Sequence, residues 1–143
     1  MSALDVAVQA ARASGNYDLV LAELPYARFL GLSAKLDGAV VLLRLPFQPI
    51  LVGNPLLPAF HGGVVGAALE SSALLQLVHE RGMPFAKTID FTVDYLRTAR
   101  AEELYAVAEV QRIGKRIANV RMTAYQQHED EPVALGRGNF LLG

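Results

Sequence analysis

The chain has 143 residues, 52% of them hydrophobic and 19% charged, with a net charge of -1. That is the profile of one ordinary globular domain with core enough to fold unaided. The near-neutral balance offers nucleic acid and anionic membranes no electrostatic footprint, and the lack of cysteine excludes disulfides, a thiolate nucleophile and a cysteine metal site.

From Ser2 to about Ala13, Leu4, Val6, Ala7, Ala10 and Ala11 recur at helical spacing, with Ser14-Gly15-Asn16 as the stop. Asp18 to Leu24 suggests another turn or two, and Pro25 to Gly31 a proline-initiated turn closed by glycine, so 1–31 reads as an N-terminal helical segment. Leu32–Leu36 and Ala39–Leu45 flank Asp37-Gly38, a pair suited to a type I′ hairpin turn. The second strand carries only Arg44 as a polar residue, which places it centrally in the sheet. Pro46 to Phe60, with prolines at 46, 49, 55 and 58, is expected to be an ordered loop without strand or helix.

A long apolar helical pattern runs from Gly62 to about His79 and is closed by Arg81-Gly82-Met83-Pro84. Ile89, Phe91, Val93 and Tyr95 then alternate with Asp90, Thr92 and Asp94 as a half-buried strand. Leu104–Ile113 and Ile117–Gln127 form a hairpin around Gly114-Lys115-Arg116, with Ala118, Val120, Met122 and Ala124 turned inward. A charged turn, His128 to Pro132, leads into a last strand, Val133–Leu142, whose Gly136 and Gly138 suggest a bulge or a close backbone approach. The sum is a single α+β domain over 1–143, an antiparallel sheet wrapped around one long helix.

Chemistry concentrates on that helix. At 100° per residue Glu70 shares a side with Gly66, Ala67, Ala73, Leu74 and Leu77, while Ser72, Gln76, His79 and Glu80 gather opposite, where solvent is expected. An acid among apolar residues must be desolvated, paired or used. The helix is entered through Phe60-His61-Gly62-Gly63, with no Ser, Thr, Asp or Asn immediately before it. Its first N–H groups therefore lack an ordinary side-chain cap and can receive an oxyanion, or the glycines simply make a tight turn. Gly62 and Glu70 are separated by roughly 12 Å of helix, too far to converge on one carbonyl within ~3.5 Å. A homodimer that brings Glu70 of one chain to the helix N-terminus of the other resolves this.

The run Asn54-Pro55, His61-Gly62-Gly63, Leu69-Glu70-Ser71 resembles the hotdog-fold acyl-CoA thioesterases of the phenylacetic-acid-pathway type. Asp90 to Arg97 and the hairpin at Gly114-Lys115-Arg116 extend the resemblance over roughly Leu32 to Leu142. It implies a hotdog fold, a homodimer that can pair again, and hydrolysis of an acyl-CoA to free acid and CoA, with no cofactor beyond the substrate's own CoA. Glu70 would be the nucleophile or the general base for water, Gly62 N–H the oxyanion donor, and Asn54 would orient water or thioester. His61 falls in the same site as a hydrogen-bonding residue at the turn or as a base. Thr88 falls near a catalytic-site hydroxyl of some relatives, or is an ordinary strand threonine. Arg97, Arg116 and Lys115 are the first choices for the CoA phosphates.

A non-catalytic domain binding acyl-CoA or a small ligand, with Glu70 merely a paired buried acid, is the alternative. His61-Gly62-Gly63-Val64-Val65-Gly66 is no dinucleotide loop, since histidine replaces the first glycine and no expected strand precedes it. His61, His79 and His128 are too scattered to suggest a metal, and no serine-hydrolase motif is present. No apolar run approaches the roughly 20 residues that span a bilayer, and no secretory leader opens the sequence, so a cytoplasmic protein is expected.

Overall fold

Residues 1–83 and 86–143 are described by a computed structural model; the proline stop expected at Pro84 lies outside them. The N-terminal segment forms α1 (Ala3–Ser14), α2 (Asp18–Leu21) and α3 (Pro25–Leu30). Ser2 Oγ accepts the Asp5 N–H at 3.1 Å while the Asp5 carboxylate accepts the Ser2 N–H at 2.9 Å, a reciprocal cap that starts α1. Gly15, in the left-handed region at φ 80°, stops it. α1 buries Ala7, Val8 and Ala11, whereas Val6 and Ala10 face solvent. An alanine-rich helix offers two stripes of similar spacing, and docking selects between them.

β1 (Ser33–Asp37) and β2 (Val40–Leu45) follow, then a 3-10 turn (Pro49–Leu51), β3 (Val52–Asn54), β4 (Leu57–Phe60) and α4 (Gly62–Arg81). After α4 come β5 (Lys87–Tyr95), β6 (Leu104–Ile113), β7 (Ile117–Tyr125) and β8 (Ala134–Leu141). Six strands make one antiparallel sheet in the order β1-β2-β6-β7-β8-β5, around α4, and the fold is the hotdog α+β architecture. β6 and β7 are the central pair, and β2 lies second from an edge rather than at the centre. An apolar strand sequence reports cover on both faces but not rank in the sheet.

Two turns differ from expectation. Asp37 pairs with Val40, so the hairpin turn is Gly38-Ala39, and only Gly38 has positive φ, at 64°. One positive φ at the first turn position is the type II′ pattern; type I′ would have forced Ala39 into the left-handed region. The 46–60 stretch is not strand-free either, because β3 and β4 pair as a separate ribbon. Proline is excluded from central strands, yet Pro58 is tolerated on the edge of a two-stranded ribbon.

α4 packs on an inner sheet face lined by Ala106, Ala108, Ala118, Val120, Met122, Ala124, Ala134 and Phe140. These mostly small side chains let the helix approach, and burying Leu69, Leu75 and Leu77 contributes roughly 1.5–3 kcal/mol each. The polar side expected to meet solvent is partly core: Ser72 is 0% and Gln76 4% exposed. Ser72 Oγ donates to Leu69 O at 2.7 Å. Gln76 has a larger role, because β2 pairs with β6 only from Leu43 to Leu45. Where the strands diverge, Gln76 Oε1 accepts the Val41 N–H at 2.8 Å and its Nε2 donates to Ala39 O at 3.0 Å. The helix thus supplies ladder bonds that β6 does not reach.

The two sheet edges are treated differently. The N-terminal segment covers β1: Tyr17 N–H donates to Ala34 O, Leu36 N–H to Gly15 O, and Ala34 N–H to the Asp18 carboxylate. No described element pairs with the outer edge of β5. An uncovered edge strand is a template for another chain.

Candidate active site

Around α4 one stripe is left partly open: Gly63, Ala67, Glu70, Ser71 and Leu74 are exposed or half-buried, while Val65, Ala68, Leu69, Ser72 and Ala73 are buried. Glu70 lies on this open stripe and is not sealed in the core. Thr88, at the start of β5, donates its hydroxyl to Glu70 Oε2 at 2.6 Å. A bulge between Thr88 and Asp90 shifts the β5 register against β8. Opposite it Gly138 allows the close approach, since a Cβ there would lie 2.7 Å from Asp90 O. The bond holds one carboxylate oxygen and leaves Glu70 Oε1 available to a water or a carbonyl carbon.

The N-terminus of α4 is capped after all. His61 Nδ1 accepts the Gly63 N–H at 2.8 Å, a role that histidine fills here because Gly63 has no side chain; a Cβ would sit 3.0 Å from that nitrogen. His61 N–H donates to Leu51 O at 2.7 Å, and His61 O accepts from Val64 N–H at 2.9 Å. No hydrogen bond among the described residues uses the Gly62 N–H. It is the free donor at a helix N-terminus, where the dipole favours negative charge.

The other candidates are less concentrated. Asn54 ends β3, and its Oδ1 accepts the Leu56 N–H at 3.0 Å, closing the ribbon turn without bonding to Glu70, His61 or Gly62. Arg97 donates to Pro132 O at 2.7 Å, beyond the Tyr95 end of β5. Lys115 and Arg116 lie in the β6–β7 turn, where Arg116 O accepts the Leu142 N–H at 2.7 Å. Because Tyr95 pairs with Ala134 while Lys87 and Ile117 pair with Leu141, these cations lie at opposite ends of the sheet. One chain does not gather them around one phosphate.

Tyr95, which by sequence could line an acyl pocket, makes a bond to the helix N-terminus that the sequence did not disclose. It is in phase with Phe91 and Val93, the residues of β5 that pack inward, and its hydroxyl donates to Gly62 O at 2.7 Å. The only sequence signal was a hydroxyl on an otherwise apolar phase of the strand. A cleft of about 860 Å³ opens instead where β2 and β6 diverge, between Gln76, Glu80, Val107 and Arg121. Neither Glu70, Thr88 nor Gly62 lines it. Among the described residues no group of three or more His, Asp or Glu is arranged to hold a metal, and no helix is long and apolar enough to cross a membrane.

On this hotdog fold the central helix carries a hydroxyl-held carboxylate and, among the described residues, an unpartnered N–H at its start. The chain belongs to the thioesterase superfamily, whose family model matches residues 58–133. It is 29% identical to the medium/long-chain acyl-CoA thioesterase YigI of Escherichia coli K12, with 100% of both chains covered. A solved Chromobacterium violaceum protein is 34% identical with a TM-score of 0.73, covering 97% of this chain and 94% of that one. The E. coli PaaI protein of the phenylacetic acid degradation operon, 23% identical over 99% of this chain and 97% of its own, shares the fold with a TM-score of 0.75.

Proposed function

We propose that this chain hydrolyses acyl-CoA thioesters to a free acid and CoA, using the Glu70 carboxylate against the thioester carbonyl and the Gly62 N–H for the oxyanion. The observation that carries the reading is the Thr88–Glu70 hydrogen bond on the open stripe of α4. It fixes one carboxylate oxygen and points the other to where a second reactant can enter. Glu70 then either attacks the carbonyl and expels CoA thiolate, giving a mixed anhydride that water cleaves, or removes a proton from the attacking water, after which the C–S bond breaks and the departing CoA thiolate takes up that proton. In both routes the carbonyl oxygen gains charge that the helix N-terminus stabilises. The donors are Gly62 N–H and the dipole, and no group beyond the substrate's CoA is required. The identity to YigI makes medium and long acyl chains the first class to assay.

The site is completed by a second copy. Glu70 and Gly62 are roughly 12 Å apart along α4, and β5 offers the uncovered edge. Antiparallel pairing of β5 with its own copy about its middle, near Phe91 and Thr92, sets Thr88 of one chain roughly opposite Tyr95 of the other. Tyr95 holds Gly62, so each Glu70 meets the other chain's helix N-terminus, and the dimer has two equivalent sites. Arg97 of one chain and Lys115 and Arg116 of the other approach the same end of this dimer, which suits a CoA shared between chains. Such dimers can pair again into a tetramer.

Free-thiol release from a panel of acyl-CoAs tests the reading, with native protein beside Glu70→Gln. Turnover by the native chain alone is expected. Equal background rates for both would leave the alternative, a non-catalytic acyl-CoA binding domain.

A further inference from the structure

Two glycines at the mouth of a helix form a swivel, and a swivelling first turn would scatter the direction of its free N–H. In this chain the Gly62–Gly63 peptide is held at both ends: Tyr95 donates to its carbonyl at 2.7 Å, and His61 Nδ1 accepts its N–H at 2.8 Å. The preceding peptide is fixed through His61 O, which accepts from Val64 N–H at 2.9 Å and Val65 N–H at 3.3 Å. Among the described residues, Gly62 alone of the N–H groups at this turn has no partner; it belongs to the His61–Gly62 peptide, and the peptide that follows it is the one Tyr95 and His61 Nδ1 hold.

We propose that Tyr95 is a positioning residue for hydrolysis, its hydroxyl fixing the Gly62–Gly63 peptide and, through the Gly62 backbone that joins it to the His61–Gly62 peptide, keeping the Gly62 N–H aimed at the developing oxyanion. This rests on the assignment of Gly62 as the oxyanion donor. Two observations separate positioning from plain structural support. In an α-helix the Gly62 carbonyl already accepts from the N–H four residues on, so the tyrosine bond is not needed to satisfy it. Within one chain Tyr95 is also 56% exposed, so burial in its own chain does not force its hydroxyl onto a protein acceptor. The ring is the packing part: it lies 3.4 Å from where a Gly62 Cβ would be, and the hydroxyl 3.7 Å from a Gly66 Cβ. Phenylalanine keeps the ring and removes only the bond.

The test is a double-mutant cycle on the full-length dimer, read as kcat and KM for a medium-chain acyl-CoA, with Gly62→Pro as the second substitution. Proline at the first helical position deletes the N–H while keeping helical φ. Tyr95→Phe is expected to lower kcat on the order of tenfold, as small misplacements of catalytic groups do, with KM within about twofold. In the Gly62→Pro background the same change is expected to have no further effect, because its target is gone. A native kcat for Tyr95→Phe overturns the role, as does an equal loss in both backgrounds. If Glu70→Gln abolishes turnover while Tyr95→Phe leaves it intact, the positioning role alone fails. If the native chain releases no thiol, the hydrolase reading beneath it fails as well.

Discussion

Gly62→Pro removes one hydrogen-bond donor and almost nothing else. Gly62 opens α4, where proline's lack of an N–H breaks no helical bond and its fixed φ suits the turn. The residue before it, His61, has φ -56° and ψ 135°, inside the region that a following proline enforces. A Cβ at 62 would meet Tyr95 Cζ and hydroxyl at 3.4 Å, ordinary van der Waals contact. Stability should therefore hold or rise slightly, since proline restricts the unfolded chain. Loss of an oxyanion donor costs about 2.7–4 kcal/mol of transition-state stabilisation, a fall in kcat of roughly a hundred- to a thousandfold. Thiol release under saturating acyl-CoA measures kcat, and urea denaturation monitors the fold. A folded Gly62→Pro protein with native kcat would refute the assignment of this N–H.

Thr88→Val keeps the shape of residue 88 but removes the 2.6 Å bond to Glu70. Hydrogen bonds to charged groups are worth about 1.5–3 kcal/mol, so kcat should fall roughly ten- to a hundredfold in the thiol-release assay; no change would make Thr88 an ordinary strand residue. Gln76→Leu leaves the buried Val41 N–H and the Ala39 carbonyl without the partner that replaces β6. Urea denaturation should show a loss of about 1–3 kcal/mol, and an undiminished midpoint would contradict the pinning role. Glu103 is held down from 4.5 to about 2, first by its hydrogen bond from Arg44 and then by that from the Tyr105 hydroxyl. A depressed carboxylate stabilises the fold above its unfolded pKa and ceases to do so as pH falls through the folded one. The difference in Tm between native protein and Glu103→Gln should thus be constant above about pH 5 and close between 4.5 and about 2. A difference that persists unchanged near pH 2 would rule this out.

Periodicity made the long helix, the β5 alternation and the β6–β7 hairpin legible, because each places apolar residues at one repeating interval over many positions. It failed where context outweighed pattern. Gln76 and Ser72 read as a solvent face, yet the sheet covers α4 on every side but the open Glu70 stripe and its C-terminal end, and the amide is admitted because β2 lacks a partner on its β6 side there. His61 was not legible as a cap because histidine is not among the usual N-cap residues, and its fit here is eased by Gly63, where a Cβ would sit 3.0 Å from His61 Nδ1. The β3–β4 ribbon was hidden by its prolines, which forbid a central strand but not an edge. For the candidate site, the helix pattern singled out Glu70 and the glycines singled out the Gly62 N–H. Thr88 became a partner of Glu70, and Tyr95 of Gly62, only through the fold, since such contacts join β5 to α4 at separations that local pattern does not encode.

The central claim is that each site takes its carboxylate from one chain and its oxyanion donor from the other. Mixing Glu70→Gln with Gly62→Pro in equal amounts, after unfolding and refolding together, tests this directly. Random reassortment makes about half the dimers mixed, each with one of its two sites intact. Recovery of about a quarter of native activity from two chains nearly inactive alone is the predicted result. Activity no greater than the mean of the separate variants, in a sample shown to contain mixed dimers, would contradict a shared site.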